Sequence, residues 1–478
     1  MEQIKKSILF LLCVGAGVLC AQSPSVSLEL IGEAVSQPFP SIPQKVVVDK
    51  TDKPYYYLAA KGGGLLVYDI QDISLPILVK TIPVKQFDDL EVMNATQRGN
   101  LLFLALGNFF GNNGQRPGLA VLNVGDPLNP AVLDVWSWDI QDKGSASVAI
   151  EGDYAYLCAM SQGLITLNIS QPDSIKFISR ILPDPDFPLA NPDLPQVPNA
   201  RAVAIRDDIA YLCYDAGGLR VINLSDKTTP VETGRYINLG MGSNKQQAFN
   251  DLVLDGNRAY VSVDYCGLEV LDIADTSQIS QISWWNPWQC QSPSNIWVGS
   301  PGHTNQMAYH SEYHYVFLAS AQSELSIVDV SNPDQPVLAG GYGAVDDQQG
   351  TWGMTLDSNR IFLAYIQAVI PFVSNWAGVR ILKWNKTTGL NEPVGYMHTN
   401  VSPNPFRKFF RLEIDLRETG PVDAVLYDPK GNLTGRVYSG EMPAGHHTID
   451  WEHELPPGIY YLQLITRNQT QTLKMIRQ

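Results

Sequence analysis

Apolar and polar positions alternate along most of the chain, and the alternation recurs as one repeated sentence. Its clearest copy is DGNRAYVSVDYCGLEVLDI at residues 255–273: a turn at 255–257, an alternating run over 259–263, a second turn ending at Gly267, and another run over 268–273. Period-two alternation bounded by Gly, Asn and Asp predicts short strands joined by tight turns. The first strand of each copy is expected at 46–48, 90–92, 148–150, 203–205, 252–254, 307–309 and 354–356. Leu65, Leu119, Leu164, Leu219, Leu268, Leu325 and Val379 mark one position in successive copies, at spacings of 54, 45, 55, 49, 57 and 54. Each copy supplies three clear strands and a fourth after a Pro-containing turn. Four short strands at a period near fifty predict the blades of an all-β ring, here a seven-bladed β-propeller.

One blade cannot bury both faces of its sheet, so its neighbours must cover it and the ring must close. Residues 26–35 (VSLELIGEAV) look like a fourth strand without a copy of their own. They are expected to complete the seventh blade, with 393–397 as the rival. The text GLxVxDI…P…PxxxG, following xYAYL, resembles the LVIVD-repeat propellers of secreted bacterial proteins over about residues 26–395. Copy six departs from it, with Glu324 where most copies have Gly, and copy seven has Lys383-Trp384 in place of DI.

The pattern changes at residues 400–478. Alternating runs at 410–416, 424–428, 447–451, 456–464 and 471–476 predict a small Ig-like β-sandwich. Pro403, Asn404, Pro405 and Phe406 open this tail. Leu426, Asp428 and Gly431, then Gly445 with Trp451, then Leu455, Pro457, Gly458 and Tyr460, and finally Lys474 follow in order. This arrangement resembles the type A C-terminal sorting domain of the type IX secretion system in Bacteroidota. The resemblance implies that the secretion machinery is a partner. It also implies export through the outer membrane, cleavage of the tail, and either release or attachment to surface lipopolysaccharide.

The other end agrees with that destination. Residues 1–21 read as a signal peptide, with Lys5 and Lys6 ahead of an apolar run at 8–19 that is too short to favour a membrane span. No other stretch is apolar enough to cross a bilayer. The expected division is therefore 1–21 signal, 22–399 propeller and 400–478 sorting domain. Of the six cysteines, Cys158 and Cys213 repeat one strand position and read as small buried apolar groups. Cys266 and Cys290 sit in loops flanking one copy, where an oxidising compartment permits a disulfide.

The formal charge of −15 becomes −16 without the leader, and a surface of that sign repels phosphate backbones, so nucleic acid is excluded as a partner. Cofactor and catalytic motifs are absent: no G-x-S-x-G, H-E-x-x-H, Walker A loop, G-x-G-x-x-G or paired C-x-x-C occurs. His303, His310 and His314 lack metal-ligand spacing and read as packed or solvated groups, and Asp184, Asp186 and Asp193 lack the glycine and the bidentate glutamate of a calcium loop. No metal or cofactor is expected.

In a propeller the first strands line the central channel and the residues before them rim one mouth. Aligning the copies sets Gln44, Asp88, Ala146, Arg201, Asn250, Asn305 and Trp352 at one level, with Asp89 and Asp251 at the next. Carboxylates, planar amides and an aromatic face suit a glycan or peptide. Trp284, Trp285, Trp288 and Trp297 offer either a stacking platform for sugars or a wedge between blades five and six. The reading these features favour is a secreted or cell-surface, non-enzymatic binding propeller. The alternatives are an extracellular hydrolase or lyase acting on glycans through Asp88, Asp89 and Asp251, and a structural module of the envelope.

Overall fold

A computed structural model describes residues 25–36, 41–108, 114–187, 198–241, 248–368, 370–387, 398–416, 419–466 and 470–478. The signal segment and the rival strand at 393–397 lie outside these. The chain forms two compact units, one of them Val26–Lys386 and the other containing Thr387–Gln478.

The larger unit repeats one antiparallel sheet. Ser147–Glu151, Tyr154–Cys158, Leu164–Asn168 and Lys176–Ile181 pair in chain order, and the strands beginning at Ala202, Phe249 and Met307 start sheets of the same order. Two further four-stranded sets, starting at Ser41–Val48 and Val92–Arg98, join into one eight-stranded sheet through the single pair Lys61↔Val92. The last sheet takes three strands from Thr351–Asp357, Arg360–Tyr365 and Gly378–Lys386. Its fourth is Val26–Val35, paired antiparallel from Val26↔Lys386 to Val35↔Gly378. The N-terminal strand thus closes that sheet, as expected.

The first strands of the sheets touch one another in chain order, and Thr351–Asp357 returns to touch Ser41–Val48. Neighbouring sheets share their cores. Tyr56, Leu66 and Val46 pack with Phe362, Val379 and Ile381 across the junction of the first and last sheets. This shared burial explains why the third strands, such as Leu164–Asn168, are buried on both faces rather than one.

The outer turns repeat one piece of polar chemistry. In every sheet but the last, an Asp or Asn at the third-strand end accepts a hydrogen bond from the backbone N–H two residues on, as Asp69 does from Gln71 and Asn223 from Ser225. A second Asx turn follows at once, as with Asp72 to Ser74 and Asp226 to Thr228. The Asp of the repeated DI thus holds a turn, which is why a charged residue ends an otherwise apolar run.

One sequence expectation fails here. The second copy's first strand is Val92–Arg98, with Ala95 opposite Leu104, not the apolar triplet at 90–92. Leu90 instead plugs the core beside Phe87, at the end of the 3-10 turn Val84–Phe87. The true strand carries Asn94 and Thr96 and therefore lacks the apolar alternation that marks its counterparts.

The smaller unit has two antiparallel sheets. His398–Ser402, Phe409–Leu416 and Gly445–Glu452 form one, and Leu433–Met442, Gly420–Tyr427, Gly458–Thr466 and Thr470–Arg477 form the other. Phe406, Phe410, Leu412, Leu426, Leu462 and Met475 are among the residues of their shared core. Among the described residues no helix is long and apolar enough to cross a membrane.

Candidate functional site

Cross-strand pairing sets the levels of the channel wall. Val46, Ala95, Val148, Val203, Leu252, Met307 and Met354 each face the matching residue of the second strand. Two residues earlier stand Gln44, Met93, Ala146, Arg201, Asn250, Asn305 and Trp352; one residue earlier stand Lys45, Asn94, Ser147, Ala202, Asp251, Gln306 and Gly353. Six of the seven places at each level agree with the sequence alignment. The second copy differs: Met93 and Asn94 hold the places expected for Asp88 and Asp89. Asp88 instead ends the 3-10 turn in a left-handed conformation, half-exposed and 3.9 Å from Arg116. The backbone of Asp89 accepts from Gln115 Nε2 at 3.3 Å. Asp88 and Asp89, proposed as paired carboxylates with Asp251 for a hydrolase or lyase, therefore do not stand at the wall positions expected of them, because the second copy's first strand is offset by five residues.

Arg201, Asn250, Asn305 and Trp352 come together at a cavity of about 410 Å³, and the same four border a second space of about 190 Å³ deeper among the first strands. The Arg201 guanidinium lies over the Trp352 ring at 5.8 Å. Asn250 Nδ2 donates to the Thr304 carbonyl at 2.8 Å. In the deeper space Lys45 Nζ donates to the Met354 carbonyl at 2.8 Å, and Asp251 accepts from the backbone N–H groups of Leu252 and Met307, each at 2.9 Å. Burial pushes the Lys45 amine down and the Asp251 carboxyl up, and the attraction between them opposes both shifts.

The cavity also contains residues that the sequence did not single out as a site. His303 is buried, and its Nδ1 donates to Asp264 Oδ1 at 2.6 Å. Asp264 Oδ2 accepts from the Trp297 indole at 2.8 Å. Phe372, Trp297 and Tyr265 surround the imidazole with ring centroids 5.7–6.4 Å away. Asp215 lines the same space. Burial pushes its carboxyl up, opposed by nearby Arg201 and by Asn199, which donates to it at 2.9 Å. His303 and Asp264 lie 39 residues apart, so no local spacing links them. The one available signal was that His303 stands two residues ahead of Asn305 on the rim.

The other candidates separate. Cys266 and Cys290 form a disulfide with Cα atoms 5.2 Å apart, anchoring the turn Asp264–Cys266 that carries the aspartate. Cys158 and Cys213 are buried free thiols, and burial pushes Cys158 up to about 12, which leaves it inert. The tryptophans make no single platform. Trp284 and Trp285 belong to the strand Ser280–Trp285, not to a loop. Trp284 and Trp297 pack on the core shared by the fourth and fifth sheets, and Trp285 packs on that shared by the fifth and sixth. Trp288 meets Trp285 edge-on at 6.2 Å. Of the four, Trp297 reaches the cavity.

In the smaller unit the opening motif meets the closing one. Asn404 Nδ2 donates to the Lys474 carbonyl at 2.8 Å, and Asn404 Oδ1 accepts from Ile476 N–H at 2.9 Å. Phe406 is fully buried and Gly431 takes φ +83° in a turn held by Asp428. Tyr460 is buried and its hydroxyl donates to the Pro456 carbonyl at 2.8 Å, two residues before Gly458 opens the strand. Pro403 and Pro405 are exposed on either side of Asn404.

Five stretches of the chain, 53–83, 143–182, 199–238, 249–283 and 301–343, match the LVIVD repeat family. The WD40 repeats of RRP9 superpose with a TM-score of 0.50 at 10% identity, covering 75% of this chain and 100% of theirs. The WD40 beta propeller domain of Doa1 gives 0.46 at 11% identity, covering 75% and 97%. No curated protein matches the chain. The repeats and the likeness to RRP9 show a β-propeller repeat fold.

Proposed function

We propose that this LVIVD-repeat chain is a secreted or cell-surface, seven-bladed β-propeller that binds a ligand at one mouth of its central channel and catalyses no reaction. The cavity bordered by Arg201, Asn250, Asn305 and Trp352 carries the reading, since four different sheets each contribute one polar or aromatic side chain to one concave space. Its volume of about 410 Å³ falls in the range of about 300–1,000 Å³ usual for ligand pockets. Seven blades are supported by the cyclic contacts of the first strands and by the closing strand Val26–Val35. The absence of the Asp88–Asp89 carboxylates from the wall weighs against the hydrolase and lyase reading.

Residues 400–478 act in this proposal as an Ig-like sorting domain for the type IX secretion system, after a signal peptide at 1–21. Support comes from the ordered motif and from the two-sheet core that Phe406 enters. The disulfide Cys266–Cys290 fits an oxidising destination. Binding is tested by thermal shift of the full chain against glycans and peptides. A ligand should raise the melting temperature, and the rise should vanish in Asn305→Ala/Trp352→Ala. A screen with no shift, or a shift that survives that double variant, overturns the mouth as the binding site.

A further inference from the structure

The mouth cavity contains two buried acceptor atoms that no donor among the described residues reaches. Among the described residues, His303 Nε2 and Gln44 Oε1 are buried without a hydrogen-bond partner, and both residues line the cavity. The exposures of these residues are 1% each. Their roles are fixed by their other ends. A carboxylate only accepts, so His303 Nδ1–H donates to Asp264, and in the neutral imidazole Nε2 is then the acceptor. Gln44 Nε2 donates to the Pro43 carbonyl at 3.2 Å, which leaves its oxygen as the group without a partner. Buried acceptors of this kind are costly to leave unmade, so a ligand that supplies donors to both gains at both.

The charges beside them are of both signs. Arg201 and Lys61 are set against Asp215 and Asp264, and Lys61 is itself 3.4 Å from Glu91. A ligand of either net charge therefore meets repulsion as well as attraction. Beside Asn250, Asn305 and Gln367, the wall presents an apolar and aromatic face through Trp297, Trp352, Phe372 and Ile366. Hydroxyl donors on a neutral, partly apolar ring satisfy all three conditions together.

We infer that the channel mouth is a subsite for a neutral sugar residue whose hydroxyls donate to His303 Nε2 and Gln44 Oε1 while its apolar face rests on the aromatic wall. The inference rests on the proposed mouth-binding function and names its ligand class. Calorimetric titration of the full chain separates the two. Probes are neutral hexose, 6-deoxyhexose and N-acetylhexosamine oligosaccharides, a uronic-acid oligosaccharide, an alkylammonium ion and acidic and basic peptides. A neutral oligosaccharide should bind, and Gln44→Leu should weaken it by about tenfold, the loss of one buried hydrogen bond. His303→Phe should do the same, with the circular dichroism of both variants compared with wild type to confirm folding. Binding of a charged probe alone, lost in Asn305→Ala/Trp352→Ala, overturns the sugar class and keeps the mouth. Sugar affinity unchanged in folded Gln44→Leu overturns the assignment of the acceptors. No binding by any probe overturns both readings.

Discussion

At position 324 the chain places a glutamate at positive φ, as Gly218 and Gly267 have in two other sheets. At those glycines a Cβ would lie 2.1 and 2.2 Å from a fourth-strand carbonyl oxygen. Glu324 takes φ +46° and is tolerated because Gly343 opposite it has no side chain: a Cβ there would lie 2.1 Å from Glu324 Cδ. Its carboxylate accepts from the Tyr365 hydroxyl at 2.6 Å. A second buried acid, Glu269, accepts from Tyr236, Asn238 and Gln281. Burial pushes the Glu269 carboxyl up, against those three donors, so the folded chain holds a proton that the unfolded chain releases near pH about 4.3. Stability from this residue is therefore lost as pH rises from there through the folded value. Urea unfolding of wild type and Glu269→Gln at pH 4, 5.5 and 7 should show the variant gaining relative to wild type as pH rises. A pH-independent difference would contradict the upward shift of the Glu269 carboxyl on burial.

At the scale of elements, the closing strand Val26–Val35 is held by more than its ladder. Arg380, on the strand it pairs with, donates to Glu33 at 2.8 Å and lies 3.3 Å from Glu324 of the preceding sheet. The guanidinium also lies 4.7 Å from the Trp376 ring centroid and 5.1 Å from that of Tyr365. One side chain thus ties the N-terminal strand to two sheets. Arg380→Met should cost about 3–5 kcal/mol in denaturant unfolding, since it leaves Glu324 buried without its cation. A cost under about 1 kcal/mol would show that backbone pairing alone holds the closure.

At the scale of the molecule, the repeated sheets set a ring of first strands whose ends carry the candidate site, and the smaller unit carries the export reading. Asn404, just after its first strand, is bound to Lys474 and Ile476 of its last strand. Expression without residues 400–478 in a host with a type IX system should leave the protein in the periplasm, read by fractionation and blotting. Normal surface or medium levels of the truncated chain would remove the sorting role from the tail.

Strand period, sheet order and the closing strand were legible in the chain because alternation, Gly turns and Asx turns are short-range chemistry repeated in register. Most of the wall positions followed by alignment, including Arg201, Asn250, Asn305 and Trp352. The second copy misled because Val92–Arg98 is partly polar while the triplet before it is apolar, so pattern alone selected the residues that plug the core. The meeting of Asp264 with His303, the separate packing of four nearby tryptophans, and the Glu324–Arg380–Glu33 link depended on which sheets become neighbours. Alternation determines what a strand buries; the lateral packing of sheets around the ring determines which distant side chains meet, and that information is spread over the whole chain.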